Sequence, residues 1–144
     1  MTENQTNKPL FIGRFQPFHL GHLDAVRQIL AKHGFVIIGI GSAQYFGLPE
    51  NPYSAEIREK MIKLSLEAAG ISSKSFVIFQ IPDIHNDEKW VSHVERLIPP
   101  FGEVYSGTPV VKELFERDGK HRVVTPKLNV NISGTEIRRL MKAG

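Results

Sequence analysis

The sequence predicts an α/β domain, a parallel sheet of about five strands with helices on both faces. Three observations point there. Short apolar runs of strand length alternate with segments whose apolar residues recur at helical spacing. One run, residues 35–40 (FVIIGI), is apolar throughout and rich in β-branched residues, as suits a strand covered on both faces. Gly, Pro, Asn and Ser gather in the connections between these segments.

Taken in order, residues 1–7 read as a short disordered tail and residues 8–144 as one domain. Lys8 to Gly13 is the first strand. Leu23, Val26 and Leu30 form a helical stripe that ends at Gly34, a C-cap. After the second strand, at 35–40, a loop opens at Gly41-Ser42-Ala43-Gln44 and runs through Pro49 and Pro52. Ser54 caps the next helix, where Ile57, Met61, Leu64 and Ala68 are the expected buried stripe up to Gly70. Phe76 to Ile81 is the third strand. The polar turn 82–87 then caps a helix carrying Trp90, Val91, Val94, Leu97 and Ile98, which Pro99-Pro100 stops. Val104-Tyr105-Ser106 is a short fourth strand, and Thr108 as N-cap with Pro109 behind it opens a helix through Leu114 to Gly119. Residues 122–125 make the fifth strand, and the capping box Ser133-Gly134-Thr135-Glu136 opens a last helix with Ile137, Leu140 and Met141.

Right-handed crossovers place the strand-end loops of such a sheet along one rim, and a ligand belongs where the strand order reverses. Here the rim loops are 13–19, 41–52, 82–87, 107–108 and 126–133. Composition narrows the class further. The 144 residues suffice for one real core, and 41% hydrophobic with 23% charged residues is ordinary for a globular protein. No apolar run approaches the roughly 20 residues of a membrane span, and the polar start MTENQTNK has no signal-peptide core. The absence of cysteine excludes disulfides and suits a cytoplasmic address. A net charge of +3, spread along the chain, suits anionic nucleotides but offers no basic tail for nucleic acid.

The stretch FIGRFQPFHLGH, residues 11–22, has the layout of a phosphate-binding first turn. Gly13 ends the strand and is expected to let the backbone turn where a side chain would block a ligand. Pro17 fixes the loop. His19 and His22 fall on the first turn of the following helix, beside its free N–H groups and positive dipole end, where an anion is favoured. The pair reads either as a capping pair or as a phosphate clamp. Metal ligation is disfavoured, since there is no cysteine and His33, His85, His93 and His121 are scattered over other segments. Arg138 and Arg139 near the last helix start read as solvated arginines or as partners of an anion. Trp90 reads as core or as a stacking platform for a flat ring.

Gly13-Arg14-Phe15-Gln16-Pro17-Phe18-His19-Leu20-Gly21-His22 resembles the first motif of the HxGH adenylyl- and cytidylyltransferase superfamily, whose fold is Rossmann-like. Its Gly-Arg-Phe-Gln-Pro-Phe form, in place of Gly-Thr-Phe-Asp, is similar to archaeal-type nicotinamide-nucleotide adenylyltransferases. Ile40 to Gln44, Asn51 to Glu56, Asp83-Ile84, Trp90 to His93, Pro99 to Phe101, Val104 to Gly107 and Ile132 to Arg138 resemble further blocks of that family, in order. The resemblance implies an enzyme joining ATP and nicotinamide mononucleotide (NMN) to give NAD and pyrophosphate by direct in-line transfer. It implies that Gly13, Arg14, His19 and His22 hold the ATP phosphates, with Ser133, Thr135 and Arg138 on the β- and γ-phosphates and Gly107 along the adenosine. His19, His22, Arg14 and Arg138 would then carry catalysis. Trp90 would stack near the nicotinamide, with Asp83, Ser42 and Gln44 lining that half. Mg²⁺ would be bound mainly through ATP phosphates, and the assembly would be a homo-oligomer. Glu50 stands where the family usually has an arginine, Asp87 where it has an asparagine and Asn131 where it has an arginine, and relatives continue past the position of Gly144. These departures keep two other readings open: a nucleotidyltransferase with another phosphorylated acceptor, and a nucleotide-binding module without turnover.

Overall fold

A computed structural model describes residues 8–127 and 134–143. Five strands, β1 (Lys8–Gly13), β2 (Val36–Gly41), β3 (Phe76–Ile81), β4 (Phe101–Tyr105) and β5 (Val123–Val124), form one sheet in the order β3-β2-β1-β4-β5. Every pairing is parallel. The helices are α1 (Leu20–His33), α2 (Ala55–Ala68), α3 (Asp87–Leu97), α4 (Pro109–Asp118) and α5 (Gly134–Ala143). The expected tail 1–7 and the Ser133 end of the last capping box lie outside the described residues.

Alternation along the strands builds two cores. Phe11, Val36, Ile38 and Ile40 face α1 and α2, meeting Ala25, Val26, Ile29, Ile62 and Leu66. Leu10, Ile12, Ile37, Ile81 and Val104 face the other way, onto Trp90, Val91, Val94, Leu114 and Phe115 of α3 and α4. With β1 central, the strand order reverses between β1 and β4. The rim of that reversal carries Gly13 at the end of β1 and Ser106-Gly107 after β4, which is where a crevice opens in such sheets.

Several expectations are corrected. The buried stripe of α2 is Ala55, Arg58, Ile62 and Leu66, while Ile57 and Leu64 are exposed. Two stripes of helical spacing coexist in this segment, and Arg58 disguises the buried one as polar. Leu97 is likewise exposed at 41%. β4 starts at Phe101, directly after Pro99-Pro100, and β5 is only Val123–Val124. The sharp turn after β1 falls at Phe15, with φ 53°, and the space above Gly13 is taken by the Phe15 ring, whose Cζ would lie 3.2 Å from an added Cβ. Gly13 therefore makes room for the chain's own aromatic ring.

Candidate active site

Two cavities open side by side on the rim. The larger, about 550 Å³, is lined by Gly13–Gln16, His19, Gly21, His22, Gly107–Pro109, Thr125-Pro126, Gly134-Thr135 and Arg138. The smaller, about 280 Å³, lies against Gly41, Ser42, Asp83, His85–Asp87, Trp90 and the start of α4. Ile12, Gly13, Arg14 and Thr108 line both, so the two spaces meet at the end of β1. No acidic side chain among the described residues lines the larger one.

The histidine pair is built into the start of α1. His19 is the N-cap; its Nδ1 accepts from the Gly21 amide at 3.1 Å, and the His19 amide donates to His22 Nδ1 at 3.1 Å. The two rings stack with centroids 3.7 Å apart, and Phe15 and Phe18 close on His22 at 4.9 and 5.4 Å. The structure shows the capping arrangement, and it leaves both rings on the lining of the larger cavity. Capping consumes both Nδ1 atoms as acceptors, which leaves each neutral ring with its proton on Nε2. It also occupies the Gly21 N–H that was expected to be free for an anion. Burial, then the neighbouring His19, pushes the His22 pKa down to about 3, and burial lowers that of His19. Both offer N–H donors without a charge.

Cationic charge comes from two arginines. Arg14 is exposed at the shared edge of the cavities. Arg138, one turn into α5, donates through Nη1 to the Gln16 carbonyl and through Nη2 to Thr135 Oγ1 at 3.3 Å. Its approach needs Gly134, where a Cβ would lie 3.1 Å from Arg138 Nη1 and 3.5 Å from the Gln16 carbonyl oxygen. Burial and then the charge of Arg14 lower the Arg138 pKa, opposed by Glu50. The two guanidinium groups repel across a cavity that an anion would fill.

The smaller cavity is held by cross-loop hydrogen bonds. Ser42, at φ 50°, donates through Oγ to Asp83 Oδ2 at 2.9 Å. The Gln44 amide pairs with the Asp83 backbone in both directions, 3.0 Å to its carbonyl and 2.9 Å from its N–H. Tyr45 Oη and His85 Nε2 stand 2.6 Å apart. Trp90 is 9% exposed, edge-on to Phe115 at 5.5 Å, and still lines the cavity. It is core residue and wall at once. Thr108 occupies the N-cap position of α4 without a side-chain cap bond, and lines both cavities.

Gly13, Arg14, His19, His22, Gly107, Thr135 and Arg138 thus gather round the larger space, and Ser42, Asp83 and Trp90 round the smaller. Gln44 lines neither; it holds the Asp83 backbone from behind. Ser133 and Asn131 lie outside the described residues. Two residues with structural consequences were not predicted. Gln16 is buried, and its side chain amide accepts from Tyr53 N–H and donates to the Tyr53 carbonyl, each at 3.0 Å. Arg58 is wholly buried. The motif position of Gln16 was a usable signal, whereas nothing local marks Arg58 except a charge on an otherwise apolar face.

A divalent ion entering with a triphosphate would meet donors on this lining, and among the described residues no three His, Asp or Glu side chains converge as a metal site. That donor set suits an ion held by phosphate oxygens and its own waters.

Residues 10–140 match the family described as cytidylyltransferase-like. The chain is 42% identical to the nicotinamide-nucleotide adenylyltransferase of Thermoplasma volcanium, over all of this chain and 80% of that protein. It is 46% identical to that of Methanococcus aeolicus, over 92% of this chain and 76% of the relative. Among solved structures, a bifunctional NMN adenylyltransferase/ADP ribose pyrophosphatase from Francisella tularensis superposes with a TM-score of 0.81 at 28% identity, covering 96% of this chain and 43% of the longer protein. A second structure of that bifunctional protein holds AMP and a manganese ion. The chain belongs to the cytidylyltransferase-like family, within its nicotinamide-nucleotide adenylyltransferases.

Proposed function

We propose that this protein transfers the adenylyl group of ATP to the 5′-phosphate of NMN, giving NAD and pyrophosphate. The observation that carries the reading is the pair of cavities meeting at Gly13, Arg14 and Thr108, one donor-lined and free of acidic side chains among the described residues, the other walled by the Trp90 ring and the carboxylates of Asp83 and Asp87. The triphosphate occupies the larger space and the nicotinamide end of NMN the smaller.

The chemistry asks little beyond placement and charge. A phosphate oxygen of NMN attacks the α-phosphorus; that P–O bond forms as the bond from the α-phosphorus to the α,β-bridging oxygen breaks, this oxygen leaving on pyrophosphate, and no proton must be removed. Arg14 and Arg138 neutralise charge on the phosphates. The Nε2–H groups of His19 and His22 donate to phosphate oxygens, with orientation fixed by their capping bonds. Thr135 adds a hydroxyl donor from the first turn of α5, the family resemblance gives Ser133 a like role, and Gly107 leaves open space beside β4 for the adenosine. Ser42 and Asp83 meet the polar groups of the nicotinamide nucleotide, and Trp90 gives its ring an apolar wall. Mg²⁺ held by the triphosphate and its own waters, beside Arg14 and Arg138, would supply further charge neutralisation.

The test is pyrophosphate release from Mg-ATP with NMN, alongside nicotinic acid mononucleotide and a panel of other phosphorylated acceptors. NAD formed in step with pyrophosphate is expected, with NMN the best acceptor. Faster turnover with another acceptor would reassign the smaller cavity, and ATP binding without turnover on any acceptor would make this a binding module.

A further inference from the structure

Arg58 sits in the first turn of α2 with no exposed surface, on the face where Ala55, Ile62 and Leu66 enter the core. Its five N–H groups all find backbone carbonyls. Nε donates to Ser54 at 3.3 Å, Nη1 to Arg14 at 2.9 Å and to Gly41 at 2.8 Å, and Nη2 to Ser42 at 3.1 Å and to Tyr45 at 3.3 Å. These five account for the whole donor capacity of a guanidinium. No carboxylate is among the partners. Burial, then the charge of Arg14, lowers its pKa, with Glu56 opposing, yet a guanidinium stays protonated. A buried cation is costly to keep, and carbonyl dipoles are here its compensation.

The carbonyls it gathers belong to separate walls of the two cavities. Arg14 lines both; Gly41 and Ser42 line only the smaller, and Ser42 carries the bond to Asp83. Ser42 is also held at φ 50°, a conformation a serine rarely adopts unless its surroundings enforce it. One planar group therefore fixes the turn after β1 to the turn after β2. Arg14, Gly41 and Ser42 all line the smaller cavity and Arg14 also lines the larger, so the clamp braces the smaller cavity at the edge it shares with the larger.

We propose that Arg58 is a positioning residue: by clamping Arg14, Gly41, Ser42 and Tyr45 it sets the offset between the triphosphate cavity and the nicotinamide cavity, and so the line of attack between the two substrates. This rests on the adenylyl-transfer reading above. In-line transfer demands reacting atoms about 3–3.5 Å apart, and a shift near 1 Å can cost about 100-fold.

The experiment compares wild type with Arg58→Lys, whose single ammonium cannot span five carbonyls. Rates of NAD formation are taken well below the variant's Tm, where its circular dichroism matches wild type. The expected result is a kcat reduced roughly 10- to 100-fold with KM for ATP and for NMN each within about threefold of wild type. A wild-type kcat with only a lowered Tm, or a loss confined to the KM of one substrate, would overturn the proposal. Wild type that makes no NAD would instead sink the functional reading. If Arg58→Lys does not fold, guanidinium NMR on wild type decides. Slowed rotation of the Arg58 side chain, with its signals shifted by ATP alone and by NMN alone, is expected; free rotation, or signals indifferent to both nucleotides, overturns the clamp.

Discussion

Beside Arg14 on the loop after β1, the larger cavity takes four polar groups from helix starts: His19 and His22 from α1, Thr135 and Arg138 from α5. The smaller takes Ser42, Asp83 and His85 from loops pinned to each other, with Gln44 and Tyr45 bracing Asp83 and His85 from outside the lining. The difference matches two recognition problems. Phosphate is the same in every nucleotide and is met by donors whose direction a helix fixes. A nucleobase or pyridine is particular, and loop walls can be varied without disturbing the sheet. The two halves should then fail differently when mutated.

The largest effect is expected from His22→Ala. It removes an Nε2–H donor and the acceptor for the His19 amide, so kcat should fall about 100- to 1,000-fold, and loss of half a capping box should cost roughly 1 kcal/mol of stability. KM for NMN should hardly move. Steady-state kinetics with each substrate varied would check this, and an equal rise of both KM values would mean the cavities do not act separately. The opposite signature belongs to Asp83→Asn. The amide retains shape but loses the charge that Ser42 supports, and KM for NMN should rise about tenfold while KM for ATP stays within about twofold.

How much of this was legible in the sequence follows the same division. The gathering of Gly13, Arg14, His19, His22 and Arg138 round one cavity was an implication of the family resemblance, whereas the Gly34 cap and the start of α4 at Thr108-Pro109 were readable because helix starts and C-caps leave local signatures. Three features were not. The buried face of α2 was misread because its key residue is a cation, four of whose five partners lie 13 to 44 positions away. The turn at Phe15 was assigned to Gly13, since nothing local says that an aromatic ring will adopt positive φ and fold over its own glycine. Gln44 looks like a wall residue in sequence but spends its amide on the Asp83 backbone.

The histidine pair also predicts a pH signature. His22 has its folded-state pKa depressed to about 3 from a usual 6.5, by burial and then by His19. Above the unfolded-state pKa neither state binds the proton and the full stability is present. As pH falls between those two values the unfolded chain takes up a proton that the folded chain refuses, and stability is lost at up to about 1.4 kcal/mol per pH unit. His22→Asn, which can still accept from the His19 amide, should show a shallower decline over the same window. Urea unfolding of both proteins at several pH values between 4 and 7.5 measures the two slopes, and identical slopes would mean that His22 titrates normally in the folded chain.

The smallest effect concerns Glu50, an acid where the family resemblance implies an arginine. It is exposed, and its charge raises the pKa of Arg138 while Arg14 lowers it. Arg138 thus has a repulsive partner and an attractive one, and a bound triphosphate must compete with the second. Removing that competition with Glu50→Gln should lower KM for ATP about two- to fivefold at low ionic strength, and Glu50→Arg somewhat further. Because the carboxylate lies in solvent, the gain should shrink as salt shortens the Debye length from about 10 Å at 0.1 M to about 3 Å at 1 M. KM for NMN should not follow, since the lining of the smaller cavity includes neither Glu50 nor Arg138. A gain that persists in high salt would show instead that Glu50 contacts the nucleotide directly, and would move the boundary of the phosphate cavity out to the loop before Asn51.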